Sequence, residues 1–146
     1  MTITKMLESH VSQIAELEKL CFHDPWSENS ISSEVDNKLS LWLVAIEDNR
    51  VIGYVGSQTV LGETDMMNIA VHPDHRKKGV ATALINELVS SLALNGSHSL
   101  MLEVRASNVP AISVYTKMDF VEVGRRRNYY RKPREDALIL RKEWSL

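Results

Sequence analysis

The sequence predicts a mixed α/β domain, and three features of its 146 residues lead to that prediction. Short apolar segments follow one another before residue 72, and a long amphipathic helix is predicted over residues 79–94. After that helix, apolar segments alternate with one short helical segment. An antiparallel meander followed by strand–helix–strand–helix–strand is typical of one sheet with helices packed against it. A chain of this length fits a single domain, residues 1–146.

Two helices are predicted before the first strand. Residues 9–21 place apolar side chains with mostly helical spacing, and Ser9 can cap the start of this helix. The segment Pro25-Trp26-Ser27 then breaks the chain, because proline cannot continue a helix. Ser27 is the predicted cap of a second helix, which ends at about Asp36.

Six segments have the composition of strands: 41–46, 51–56, 66–71, 100–105, 120–123 and 136–140. The first two are joined by a hairpin at residues 47–50, and Pro73 stops the third. The helix over 79–94 is the strongest helical signal, with one face lined by Val80, Ala81, Leu84, Leu88 and Leu92. Asn108 caps a short helix that runs to about Met118.

The composition limits the class of protein and its compartment. Cys21 is the only cysteine, so an intrachain disulfide and a cysteine-rich zinc site are both excluded. The first residues lack the apolar stretch of a signal peptide, and no segment approaches the roughly 20 apolar residues that span a bilayer. We therefore expect a cytoplasmic protein with no membrane segment and no metal site. His72 and His75 are interpreted as turn residues.

The net charge of −2 conceals an uneven distribution. Residues 121–146 contain eight Lys and Arg against four acidic residues, a charge of +4, so the rest of the chain carries −6. One interpretation is a solvated basic hairpin, which is the usual role of a charge run. The other is a surface that meets an acidic partner or one associated with nucleic acid. The sequence leaves both open.

A basic segment, Arg76-Lys-Lys-Gly-Val-Ala-Thr82, stands at the start of the strongest helix. Cations there oppose the helix macrodipole, which favours anions at this end. The arrangement suits a bound anion, since Gly79 permits close approach of the backbone and the first-turn N–H groups are free donors. The segment lacks the Gly-Lys-Ser/Thr of the nucleotide P-loop and the spaced glycines of a dinucleotide site. A basic helix start in solvent is the alternative.

Two residues beyond this helix are candidates for acid–base chemistry. Glu103 lies between Leu102 and Val104 in an otherwise apolar strand, where a carboxylate needs a partner or a function. It could form an ion pair with Arg105, on the same face of the strand, or act as a general base beside a cleft. Tyr115, on the following helix, would by itself be interpreted as a core residue with a bonded hydroxyl.

These segments together resemble a known family. Asn68-Ile-Ala-Val-His-Pro73 and Arg76-x-x-Gly79-x-Ala81 resemble the acetyl-CoA-binding core of the GNAT N-acetyltransferases, whose motif is Gln/Arg-x-x-Gly-x-Gly/Ala at a helix start. Further segments are similar to the RimI branch: Leu102-Glu-Val-Arg-Ala-Ser-Asn108, Ala111-Ile112, Tyr115, Asn128-Tyr-Tyr130 and Glu135-Asp-Ala137. That branch acetylates the N-terminal alanine of a small-subunit ribosomal protein. The resemblance covers nearly the whole chain.

The resemblance implies the GNAT fold, a mixed and mostly antiparallel twisted sheet of about seven strands flanked by about four helices. It implies acetyl-CoA as cosubstrate and a ribosomal protein N-terminus as substrate, with no nucleic acid required. Glu103 would take the proton from the attacking ammonium, Tyr115 would protonate the departing thiolate, and the Val71 N–H would stabilise the oxyanion. The implied cofactor-binding residues are Ile69, Ala70, Val71, Arg76, Lys77, Lys78, Gly79, Val80, Ala81, Thr82 and Asn108.

One position departs from the family pattern. Asp119 stands before Phe120 where the family has glycine, which ends a helix in the left-handed conformation. Asp tolerates that conformation better than most other residues, so the departure affects the turn rather than the chemistry. Cys21, on the apolar face of the first helix, is interpreted as a buried, inert thiol rather than as the nucleophile of a ping-pong route.

The sequence leaves three functions to compare. The first is acetylation of a protein N-terminus, with the basic region around Tyr129 and Tyr130 lining the peptide entrance. The second is acetylation of protein lysines or of a small-molecule amine. The third is a non-catalytic acetyl-CoA sensor, against which the presence of both Glu103 and Tyr115 argues. Patterns in the sequence do not indicate the oligomeric state.

Overall fold

The computed structural model of the chain describes residues 1–144. Its strands are β1 (Thr2–Lys5), β2 (Ser40–Glu47), β3 (Arg50–Val60), β4 (Glu63–Val71), β5 (Ser99–Arg105), β6 (Val121–Arg131) and β7 (Arg134–Glu143). Its helices are α1 (Val11–Cys21), α2 (Glu28–Val35), α3 (Val80–Leu94) and α4 (Val109–Lys117), with 3-10 turns at Glu8–His10 and Pro73–His75. Among these helices of residues 1–144, none has the length and apolarity needed to cross a membrane.

Within the described residues the strands form one seven-stranded sheet in the order β1-β2-β3-β4-β5-β7-β6. In this sheet β4 and β5 are parallel, and the other neighbouring pairs are antiparallel. The mixed sheet and its flanking helices confirm the predicted fold class. β4 and β5 pair over Glu63–Asp65 and Ser99–Met101, and then separate although both strands continue. We call the space between residues 66–71 of β4 and residues 102–105 of β5 the β4–β5 gap.

A bulge in β4 accounts for the separation. The β3–β4 register shifts between Gly56 and Ser57, which pair with Asn68 and Met66, so Met67 is an extra residue on β4. A bulge bends its strand and increases the local twist. Because this bend directly follows the paired segment, it turns the end of β4 away from β5.

The sheet has helices on both faces. One face, the α1 face, packs against α1 and α2 through a buried cluster that includes Ile14, Leu17, Ile31, Trp42, Val44, Tyr54 and Ala70. The opposite face, the α3 face, packs against α3 and α4 through a larger cluster that includes Val55, Leu84, Leu88, Leu100, Leu102, Val104, Tyr115 and Phe120. Consecutive residues of a strand point to opposite faces, and this alternation positions the side chains of β4 and β5.

Several predicted local signals are confirmed. Ser27 caps α2 by accepting a hydrogen bond from the Ser30 N–H at 3.1 Å. Asn108 caps α4 by accepting a hydrogen bond from the Ala111 N–H at 3.3 Å. Asp119 has a φ of +69°, the left-handed conformation expected where the family has glycine. These signals succeed because each depends on neighbours within three residues along the chain.

Three predictions of local structure need correction. Ser9 does not cap α1, because it lies inside the first 3-10 turn and the chain enters the helix through His10. The sequence patterns miss β1, a short strand in which Ile3 is the half-buried side chain. The strand predicted at 120–123 continues to Arg131, since its backbone pairs with β7 while its side chains remain mostly exposed.

Candidate active site

The β4–β5 gap exposes backbone groups that a continuous sheet would pair. The His72 N–H donates to Ile52 O on β3 at 2.8 Å. Ala70, two residues earlier on β4, also directs its N–H and C=O groups toward β3. Alternate residues of an antiparallel strand direct their N–H and C=O groups to opposite sides. Ile69 and Val71 therefore direct theirs away from β3 and into the gap.

Side chains contact two of these backbone groups. The Ile69 N–H donates to Asn68 Oδ1 at 3.1 Å, and Arg76 Nε donates to Val71 O at 3.1 Å. The Val71 N–H faces the gap where β5 is not paired with β4, so it can donate to a ligand. Arg76 Nη2 also lies 3.4 Å from Cys21 Sγ. Cys21, expected to be buried, is half-buried instead, with its thiol on the side of α1 that Arg76 reaches.

Glu103 lies on β5 beside the gap. Both of its neighbours on the strand belong to the α3 face, so its carboxylate points to the α1 face. The side chain is 27% exposed, and Oε2 lies 3.1 Å from Arg126 Nε. No described residue donates an aligned hydrogen bond to this buried oxygen. Of the two alternatives for Glu103, the ion pair with Arg105 is wrong, since Arg105 pairs with Glu135 at 3.3 Å.

A cavity opens on the α1 face where β4 and β5 separate. Its lining combines two carboxylates, one guanidinium, one phenol and apolar side chains: Asp65, Met66, Met67, Met101, Leu102, Glu103, Arg126 and Tyr129. The Arg126 guanidinium lies 5.9 Å from the centre of the Tyr129 ring. Burial raises the pKa of Tyr129, and the Glu103 carboxylate raises it further. The tyrosine expected at an entrance thus shares a cavity with Glu103.

Tyr115 lies on the opposite side of the sheet from Glu103. It is 7% exposed, belongs to the α3-face cluster and meets the Phe120 ring edge-on at 5.6 Å. Burial raises the pKa of Tyr115 to about 12, and the nearby Tyr130 shifts it in the same direction. The phenol therefore keeps its proton at neutral pH.

The N-terminus of α3 has the features of an anion-binding site. Gly79 is its N-cap with a φ of +79°, the first turn contains no acidic residue, and no residue of 1–144 supplies a side-chain cap. The N–H groups of residues 80–82 consequently lack partners within the helix. A Cβ built on Gly79 would meet no described atom within 4 Å, so the approach to these donors is open. Lys77 and Lys78 lie exposed beside them.

The structure brings together only part of the predicted site. Backbone groups of β4 and the Glu103 carboxylate lie on the two sides of the gap, and residues 77–82 lead into the first turn of α3. Ala70 presents no group to the gap, unlike Ile69 and Val71. Its side chain is buried on the α1 face, and its N–H and C=O groups face β3. Arg76 turns toward the end of β4 rather than toward the helix N-terminus. Asn108 uses its side-chain oxygen to cap α4.

The sequence patterns do not single out Asp65 or the pairing of Arg126 with Glu103. Asp65 precedes the predicted strand, and only its register opposite Met101 brings it to the Glu103 cavity. Arg126 reaches Glu103 because β6 runs past residue 123 and pairs with β7. A sequence prediction that extended β6 past residue 123 would have indicated this contact.

Comparison with known proteins decides the family. The profile of the Acetyltransferase (GNAT) family matches residues 11–120, most of the chain. The chain is also 34% identical over 141 residues to an Escherichia coli (strain K12) protein named ribosomal protein bS18-alanine N-acetyltransferase, covering 95% of each. The chain belongs to the GNAT family of N-acetyltransferases. The family predicted from the sequence motifs is confirmed.

Further relatives agree with the GNAT assignment. A Haemophilus influenzae protein with the same name is 35% identical over 144 residues, covering 96% of this chain and 97% of that protein. The crystal structure of the Escherichia coli ribosomal-protein-S18-alanine N-acetyltransferase has a TM-score of 0.91 at 33% identity, covering 99% of this chain and 94% of that chain. Arabidopsis thaliana NAA60, solved in complex with acetyl-CoA, shares the fold at 20% identity, with a TM-score of 0.88 and 97% of each chain covered.

Proposed function

We propose that this GNAT enzyme transfers the acetyl group of acetyl-CoA to the N-terminal α-amine, preferably of alanine, of a small-subunit ribosomal protein. The amine attacks directly in a ternary complex. The observation that carries the proposal is the β4–β5 gap, with the Glu103 carboxylate on one face of the sheet and the Tyr115 phenol on the other. Relatives named as alanine N-acetyltransferases of a ribosomal protein support this acceptor. The substrate places the reaction in the cytoplasm.

Residues at the start of α3 would hold the pyrophosphate of acetyl-CoA. The free N–H groups of residues 80–82 and the positive end of the helix dipole both favour a bound phosphate. Backbone groups of Ile69 and Val71, which face the gap, would hold the pantetheine arm. Asn108 keeps its amide N–H₂ group for the same arm, because the cap of α4 uses only its oxygen.

The residues around the gap supply the proton transfers. Acetyl-CoA provides a thioester whose carbonyl carbon forms a bond to the amine nitrogen as the C–S bond breaks. Glu103 accepts the proton that the incoming ammonium loses before it attacks, directly or through one water. The Val71 N–H donates to the carbonyl oxygen as negative charge develops on it. Tyr115, which keeps its proton at neutral pH, gives it to the departing thiolate, and the second proton, which the nitrogen loses as the amide forms, returns through solvent to the Tyr115 phenolate. These steps use neither a metal nor nucleic acid.

The acceptor amine would enter through the cavity on the α1 face. Arg126 lies against Glu103 there, and an incoming ammonium with the same charge would take the place of its guanidinium. Met67 and Met101 provide apolar walls that suit a small first side chain. A peptide α-amine has a pKa of about 7.7–8.0 against about 10.4 for lysine, so its deprotonation requires roughly 3.5 kcal/mol less. A single carboxylate base therefore favours the α-amine.

Gly79→Asp tests the proposed phosphate site. Asp and Asn have the same shape, and both tolerate a positive φ, so Gly79→Asn is a control that differs mainly in charge. A carboxylate beside the pyrophosphate should weaken acetyl-CoA binding by at least about tenfold relative to Gly79→Asn, or about 1.4 kcal/mol. Isothermal titration calorimetry measures both affinities. Equal affinities in two folded variants would remove the phosphate site from α3.

Glu103→Gln and Tyr115→Phe test the acid–base roles. Each should lower kcat by roughly 10²–10⁴, with acetyl-CoA affinity nearly unchanged. The loss in Glu103→Gln should shrink as the pH rises, because the amine then loses its proton to solvent. Glu122→Gln, an exposed glutamate on β6, is the control and should leave kcat unchanged. Full activity of Glu103→Gln near neutral pH would show that another group is the base.

A competition between acceptors tests the substrate. One short peptide has a free N-terminal alanine, a second has a blocked N-terminus and one lysine, and the third acceptor is spermidine. The free alanine peptide should have the highest kcat/KM, because its amine is the easiest to deprotonate and its side chain is small. Mass spectrometry of the mixed reaction gives the three rates. Faster acetylation of the lysine peptide or of spermidine would contradict the N-terminal assignment and leave the GNAT family assignment intact.

A further inference from the structure

A buried carboxylate on α1 contacts the strand that holds the candidate site. Glu18 is 1% exposed, and all three of its hydrogen-bond partners are donors. Its Oε1 accepts from the Trp26 N–H at 2.8 Å, and its Oε2 accepts from Asn68 Nδ2 at 2.7 Å and from the Tyr54 hydroxyl. Burying a carboxylate is costly even when it is hydrogen-bonded, so its place here calls for an explanation.

The contact with Glu18 fixes the orientation of the Asn68 amide. Asn68 directs its Nδ2 at Glu18 Oε2, and an N–H₂ group can only donate, so the amide nitrogen faces Glu18. The amide oxygen then faces the backbone, where it accepts the Ile69 N–H at 3.1 Å. Asn68 directly follows Met67, the extra residue of the β4 bulge. Glu18 therefore holds the bulge in place through the side chain of Asn68.

The same arrangement determines which backbone donor faces a ligand. Ile69 and Val71 both direct their N–H groups into the gap, but Asn68 already occupies the first of them. If the Asn68 amide rotated, the Ile69 N–H would be released, and residues 68–71 would keep one described polar contact with α1, that of Cys21 Sγ with Val71 O at 3.9 Å. The β3 ladder would still turn the Val71 N–H toward the gap, but the bulge before it would lose the side chain that holds it, and the exact direction of that N–H would shift.

We infer that Glu18 is a positioning residue: through Asn68 it fixes the backbone of residues 68–71 and so aims the Val71 N–H at the thioester carbonyl. This inference rests on the oxyanion role proposed above for that N–H. Glu18 itself touches neither the acetyl group nor the amine. Its effect falls on the rate of acetyl transfer rather than on the binding of either substrate.

Glu34 provides a matched control. It is a second buried glutamate, 7% exposed, on α2. Its carboxylate also accepts three hydrogen bonds, from Asn37 Nδ2 at 3.1 Å, from Gln58 Nε2 at 2.9 Å and from the Ser40 hydroxyl. These partners lie on β2, β3 and the segment before β2, not on β4. If both buried glutamates served only stability, Glu18→Gln and Glu34→Gln would change Tm and kcat in the same way.

The experiment compares Glu18→Gln with Glu34→Gln. Glutamine keeps the shape of the side chain but replaces one acceptor oxygen with a donor N–H₂ group, so each variant loses at least one hydrogen bond to its surroundings. In Glu18→Gln, an N–H₂ group at the Oε2 position faces the Asn68 N–H₂ group and turns it away, because neither group can accept. We expect both variants to have a lower Tm. At a temperature well below both transitions, kcat should fall roughly 10- to 100-fold in Glu18→Gln alone, because an oxyanion donor is misdirected rather than removed. KM for the acceptor and the Kd of acetyl-CoA should change less than about threefold.

Asn68→Ala and the double variant complete the test. Asn68→Ala should lower kcat as much as Glu18→Gln, and the double variant should lose no more than Asn68→Ala alone, since both act through one contact. Equal kcat values for Glu18→Gln and Glu34→Gln, or a loss confined to KM or Kd, would overturn the inference. If Glu18→Gln does not fold, Asn68→Ala decides: a wild-type kcat in that variant would overturn it.

The test separates this inference from the proposed substrate. The Val71 N–H serves the acetyl carbonyl and not the acceptor, so the variants can be compared with whichever amine the wild-type enzyme acetylates fastest. Failure of the alanine peptide as a substrate would contradict the proposed function only. A Glu18→Gln variant with full kcat on the best acceptor would contradict the positioning role only.

Discussion

The candidate site depends on one interruption in the sheet, the separation of β4 from β5 after Asp65 and Met101. Neighbouring strands normally satisfy each other's N–H and C=O groups along their shared length. Here the ladder ends while both strands continue, so backbone groups of β4 remain for a ligand. The bulge at Met67 bends β4 at this point, and the cores on both faces of the sheet hold the two strands in their separated positions.

The interruption also connects the two faces of the sheet. Glu103 lies on the α1 face and Tyr115 on the α3 face, each among its own neighbours. Separation by the sheet leaves Glu103 beside the Arg126 guanidinium and buries Tyr115 among apolar side chains. Burial raises the pKa of Tyr115 to about 12, so this phenol keeps its proton at neutral pH. The proposed base and the proposed acid therefore act from opposite faces of the sheet.

Local signals in the sequence were sufficient for most elements of the fold. Ser27 and Asn108 act as caps where the sequence placed them, and Asp119 has its expected left-handed conformation. β1 and the far half of β6 were missed, because they form through pairing with distant strands rather than through apolar periodicity.

The site was predictable to the extent that its residues carry local signals. Glu103 stands out as a lone carboxylate in an apolar strand, and the start of α3 stands out by its glycine and cations. The partner of Glu103 could not be predicted, since the choice between Arg105 and Arg126 depends on the register of β6. Glu18 has no local signal, because only the folded chain brings it to Asn68.

In the proposed reaction, the two substrates meet through the β4–β5 gap from opposite faces of the sheet. A crystal structure with a bisubstrate analogue, in which the sulfur of CoA is joined through an acetyl group to the N-terminus of an alanyl peptide, would show this arrangement. We expect the peptide nitrogen on the α1 face, within hydrogen-bond or one-water distance of Glu103, and the sulfur toward Tyr115. An analogue bound entirely on one face of the sheet would rule out this arrangement.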